Sequence, residues 1–120
     1  MKTAIIILSD PKPGTEESLG RLFNALAAAY DFKQMGEQVS IYFQGTGTRW
    51  PEVINNESHP AYPLYKAVED TIVGVSSGCA EVFGANPNGL DLIKDNIAPG
   101  TSGLPSLCHL MKSGSQILTF

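Results

Sequence analysis

Apolar and polar positions change period several times along the chain, and each change marks a predicted element. Lys2 to Leu8 is a continuous apolar run with Ile5, Ile6, Ile7 and Leu8 at its centre. Unbroken apolar character fits a strand of a parallel sheet covered on both faces. The polar stretch Ser9-Asp10-Pro11-Lys12-Pro13-Gly14 stops it. Thr15 has the side chain to cap a helix, and Glu16 and Glu17 suit the positive end of that helix dipole. Leu19, Leu22, Phe23, Leu26 and Tyr30 then recur at helical spacing, and Gly36 supplies the stop. Val39, Ile41 and Phe43 alternate within Gln38 to Phe43, which predicts a second strand. Its exit, Gln44-Gly45-Thr46-Gly47-Thr48, predicts a flexible loop.

Arg49 to Pro60 reads as a long, irregular, polar segment carrying Trp50 and Asn55-Asn56, and long loops in compact domains tend to bind something. A second helix is predicted from Ala61, with Leu64, Tyr65, Val68 and Ile72 on one side, followed by a short strand over Ile72 to Val75. That strand exits through Ser76-Ser77-Gly78-Cys79. Asn88 is placed to cap a helix over Gly89 to Asn96, and Leu104 to Ser113 forms a last helix with Pro105 in its first turn and Gly114 after its end. Gln116 to Phe120 closes the chain as a strand. Strands alternating with helices imply parallel pairing through right-handed crossovers. The expected fold is a three-layer α/β/α sandwich, Rossmann-like or flavodoxin-like, with a mostly parallel sheet of about five strands. A length of 120 residues suits one domain without disulfide or metal staples.

Composition narrows the partners. With 42% hydrophobic and 17% charged residues the chain is of ordinary globular type. The net charge of −4 comes from scattered acids, and no basic stripe offers itself to nucleic acid. The longest apolar run, Ala4 to Leu8, is far shorter than the roughly 20 residues that span a bilayer. It leads straight into Ser9-Asp10-Pro11, with no small-residue cleavage site, so the expected location is cytoplasmic. Cys79 and Cys108 form no CxxC pair, which fits free thiols in a reduced compartment.

Ligands of open α/β sheets gather at the carboxyl ends of the strands. Cys79 lies just past the third strand. If Ala80 to Phe83 begins a helix, its unpaired N–H groups favour a thiolate at Cys79, while Glu81 opposes a second negative charge. Ser76 and Ser77 lack a base, so their hydroxyls are expected to bond local backbone or the sulfur, and Gly78 suits a tight turn. The alternative is that Cys79 simply fills space, as buried cysteines often do. Cys108 shares an apolar helix face with Leu104 and Met111 and is expected to pack.

Lys12, Gly45, Thr46 and Arg49 stand at the other two strand exits and could hold a small anion, although neither glycine segment has the spacing of a phosphate-binding motif. Trp50, with Arg49 and Tyr62, makes either an aromatic lid or a contact at the sheet edge or between subunits, the contact being favoured. His59, before Pro60, is given a surface or capping role. Cys108 and His109 are adjacent on a helix and diverge, so no metal site is expected. No hydrolase constellation is present.

The order of elements, the extended segment after the second strand, and Gly74-Val75-Ser76-Ser77-Gly78-Cys79-Ala80 together resemble the DsrE/DsrF-like family. The chain's close, Gly103-Leu104-Pro105-Ser106-Leu107 through Gly114 to Ile117-Leu118-Thr119-Phe120, is similar to that family's last helix and strand. The resemblance implies a homo-oligomer, a trimer or hexamer, that passes sulfur between proteins as a cysteine persulfide. Cys79 matches the family's acceptor cysteine. No cofactor is implied, and a donor protein and an acceptor protein would supply the other thiols. The rival readings are a non-catalytic module for a small ligand, nucleotide or anion, and a structural oligomer subunit.

Overall fold

A computed structural model describes residues 1–94 and 96–120. Its centre is a five-stranded sheet in the order β4-β3-β2-β1-β7, parallel throughout. These strands are β1 (Lys2–Ile7), β2 (Gln38–Phe43), β3 (Ile72–Ser76), β4 (Leu92–Ile93) and β7 (Gln116–Thr119). Two further short strands, β5 (Ile97–Ala98) and β6 (Thr101–Ser102), pair antiparallel outside the sheet. The helices are α1 (Glu16–Gln34), α2 (Trp50–Ile54), α3 (Tyr62–Val68), α4 (Ser77–Val82) and α5 (Leu107–Lys112). The expected α/β fold is the observed one.

α1 starts where the sequence predicts. Thr15 is extended, and its side chain accepts a hydrogen bond from the Ser18 N–H. The face turned to the sheet holds Leu22, Ala25, Leu26 and Ala29, all fully buried, whereas Tyr30 is 41% exposed. These residues pack with Tyr65 and Val68 of α3 over Ile5, Ile7, Ile41, Phe43 and Val75. Lys33, in the last turn of α1, reaches the Ala67 carbonyl and Asp70 and ties α1 to the end of α3. Alternation turns Tyr42 to the opposite face of the sheet. There Tyr42, Val73, Leu92 and Ile93 line a wide depression of about 600 Å³, bounded by His109 and Leu110 of α5. Among the described residues no helix is long and apolar enough to cross a membrane.

Six local expectations change. Gln44 to Thr48 is not a flexible loop: Gly45–Arg49 is a 3-10 helix, in which the Thr48 hydroxyl donates to the Gly45 carbonyl. Arg49 to Pro60 is not irregular throughout, because α2 forms with Pro51 in its first turn. Trp50 is 2% exposed and bonds Ser9 through its indole N–H, so it belongs to the core rather than to a lid or a subunit contact.

No helix begins after Asn88. Asn88 has φ 54° and Gly89 φ 86°, left-handed geometry that an N-cap does not adopt, and Leu92–Ile93 is taken into the sheet beside β3. Residue 95, within that predicted helix, lies outside the described residues. The last helix starts at Leu107, later than expected, because Leu104 precedes a proline, which disfavours α geometry. Ser106 caps it by accepting from the His109 N–H. So short a helix buries little, and Leu107, Cys108 and Met111 are all exposed. The expectation that Cys108 packs in the core is therefore wrong.

Candidate functional site

At the carboxyl edge of the sheet three strand exits come together. The Gly45–Arg49 turn sits directly on the end of β1, where the Gln44 N–H donates to the Ile7 carbonyl and the Thr46 hydroxyl to the Leu8 carbonyl, at 2.9 Å. A Cβ at Gly47 would lie 2.0 Å from the Ile7 carbonyl oxygen, so only glycine allows this approach.

The third exit carries the cysteine. Ser76 is both the last residue of β3 and the N-cap of α4, and its hydroxyl accepts from the Cys79 N–H at 3.3 Å. The helix starts at Ser77, three residues earlier than expected, and Cys79 lies inside its first turn, half-buried. A Cβ at Gly78 would come within 2.1 Å of the Ser102 carbonyl oxygen, so a glycine there lets α4 lie against β6. Ser77 is half-buried beside Gly103. Glu81 is exposed, and two residues along a helix place it roughly 200° around the axis from Cys79. It does not share a face with the thiol.

Arg49 links the exits. Its Nη1 is 2.9 Å from Asp10 Oδ2, its Nε donates to the Phe83 carbonyl at 3.2 Å, and its guanidinium stands 5.5 Å from the centre of the Phe83 ring. Burial pushes the Asp10 carboxyl up, but the Lys12 N–H, the hydrogen bond from Arg49 and the charges of Arg49 and Lys12 outweigh it. The net shift is below the ordinary carboxylate value, which favours the ionised partner for Arg49. Asp10 and Phe83 were not singled out from the sequence. Residues 39 apart give no periodic signal, and only the general need of a partly buried arginine for a carboxylate pointed that way.

The predicted site residues thus fall into two groups. Lys12 and Arg49 line a depression of about 340 Å³ together with Pro11, Glu52, Val53, Phe83 and Gly84. Gly45, Thr46, Ser76, Ser77, Gly78 and Cys79 do not line it. His59 does not cap α3, which has no side-chain cap; its Nδ1 instead accepts from the Ala61 N–H at 3.0 Å and holds the turn that leads into that helix. Burial lowers its pKa and favours the neutral ring. Among the described residues, no group of three or more His, Cys, Asp or Glu side chains could hold a metal ion.

The chain is 28% identical over 83 residues to an uncharacterized protein of Methanocaldococcus jannaschii, covering 69% of this chain and 67% of that one. No solved structure matches at comparable significance. The model of the DsrE/DsrF-like family, in contrast, matches residues 1–120, and by this end-to-end match the chain belongs to the DsrE/DsrF-like family.

Proposed function

We propose that this protein carries sulfane sulfur on Cys79, receiving it from one protein and handing it to another. The observation that carries the reading is the position of Cys79. It is a half-buried thiol in the first turn after a central parallel strand, in a chain that the DsrE/DsrF-like family model matches throughout. The chemistry is exchange without net redox change. The Cys79 thiolate attacks the outer sulfur of a donor persulfide, the donor's S–S bond breaks, and the donor leaves as a thiolate with the bonding pair. Cys79 is left as a persulfide. An acceptor thiolate then attacks its outer sulfur, and Cys79 departs as the thiolate. No external oxidant or reductant enters.

A small-anion module has less support. The guanidinium of Arg49 is engaged with Asp10 and Phe83, and Lys12 shares its depression with the carboxylate of Glu52. Cys108 complicates any thiol assay because it is exposed. The test therefore compares wild type, Cys79→Ser and Cys108→Ser after incubation with a low-molecular-weight persulfide, read by mass spectrometry. The Cys108→Ser chain is expected to gain one sulfur atom at Cys79, with none retained in Cys79→Ser beyond what Cys108 takes up. No gain at Cys79 in the Cys108→Ser chain rules the carrier reading out.

A further inference from the structure

The six-residue helix that carries Cys79 is held at both ends by contacts from elsewhere in the fold or from its own cap. At its start the Ser76 hydroxyl takes the Cys79 N–H, and Gly78 lies against β6. At its end Phe83 is the C-cap, and the Phe83 N–H donates to the Cys79 carbonyl at 2.9 Å. The carbonyl of that same Phe83 is the group Arg49 binds through Nε, while the guanidinium lies near the Phe83 ring and pairs with Asp10 on the exit of β1. Asp10 is itself fixed, since its Oδ1 accepts the Lys12 N–H at 2.9 Å and its carbonyl accepts the Ser18 hydroxyl. A continuous path therefore runs from the start of α1 through Asp10, Arg49 and Phe83 to the peptide of Cys79.

We infer that Arg49 is a positioning residue for Cys79, with the Asp10–Arg49 pair clamping the end of α4 and so setting how readily the thiol is reached. The inference deepens the sulfur-carrier reading and rests on Cys79 being the reactive thiol. The planar fork of arginine matters here, because Nε and Nη1 serve two acceptors on two different segments at once. A lysine can pair with Asp10 but presents a single nitrogen. So short a helix has little cooperativity of its own, and losing one end contact raises the population in which the half-buried sulfur is open to solvent.

The test is the rate of alkylation of Cys79 by iodoacetamide in a Cys108→Ser background, with Cys108 in a Cys79→Ser background as the control thiol. Arg49→Gln is expected to speed Cys79 labelling about fivefold or more, while Cys108 stays within about twofold. Arg49→Lys should fall between, and Asp10→Asn should add nothing in the Arg49→Gln chain because both remove the same pair. A general loss of stability, which the already exposed Cys108 does not report, would instead lower the urea midpoint of the variant and speed Cys79 only in proportion to that fall. That result overturns the inference, as does a Cys79 rate within about twofold of the parent in every variant that folds. Should Arg49→Gln fail to fold, Arg49→Lys and Asp10→Asn carry the same comparison. Alkylation needs no sulfur donor, so the two ideas can fail separately. Cys79 that takes up no sulfur but responds to Arg49 removes the carrier and keeps the clamp, and the reverse pattern does the opposite.

Discussion

Thr3 alternates with Ile5 and Ile7 on the face of β1 that meets α1 and α3, and it is 2% exposed. Its hydroxyl oxygen has no hydrogen-bond partner among the described residues. A buried hydroxyl without a partner forfeits its hydration and gains nothing in return. Thr3→Val keeps the shape and removes that burden, so it is expected to stabilise the fold by about 1 kcal/mol. The check is a higher urea midpoint with an unchanged slope. A lower midpoint would mean that the hydroxyl is bonded after all. Residue-level chemistry was legible in the sequence for some local contacts: Thr15 caps α1, and the Ser76 hydroxyl bonds nearby backbone as expected, although as the cap of a helix that begins earlier than predicted, while Asn88, equally local, caps no helix. It was not legible where partners are distant, as for Arg49 with Asp10 and Phe83, or Trp50 with Ser9.

At the scale of elements, long periodic segments kept their predicted form and short ones did not. α1 spans 19 residues with a cap, an acidic first turn and a buried face, and each of those signals was present locally. α5 has six residues, and its apolar positions 107, 108 and 111 face solvent, because periodicity reports a face but not whether anything covers it. α4, also of six residues, depends on its ends. Ser76→Ala removes the hydroxyl that accepts the Cys79 N–H, a change expected to cost about 1 kcal/mol and to raise the alkylation rate of Cys79. Comparing labelling rates in the Cys108→Ser background checks this, and an unchanged rate together with unchanged stability would show that the cap contributes nothing to α4.

Across the whole molecule, the largest fully buried side chain is Tyr65, which anchors α3 to the core. Burial, with the Glu69 carboxylate adding to it, pushes its phenol up to about 12. An unfolded chain would titrate it near 10. The folded state therefore keeps a proton that the unfolded state releases. Its contribution to stability is complete below about pH 10 and is lost as pH rises from there towards 12. Tyr65→Phe is expected to flatten the fall of stability across that window, although its stability near neutral pH need not match the parent. Urea midpoints of both proteins measured through the window check it, and parallel pH profiles would count against the assignment.

Local signals along the chain were enough for the α/β class, the parallel pairing, the boundaries of β1, α1, β2 and β7 to within about a residue or two, and the placing of Cys79 at a strand exit. Those features follow from hydrophobic period, capping residues and the rule that parallel strands need crossovers, all of them readable within a short window. Long-range packing, by contrast, makes Leu92–Ile93 a strand, leaves Cys108 exposed, and ties the end of α4 to Asp10 through Arg49. A two-residue strand has no period of its own and exists because β3 offers it an edge. Exposure depends on what another segment covers. A salt bridge between residues 39 positions apart is set by which strand exits the sheet order makes neighbours, and that order is a property of the folded chain as a whole.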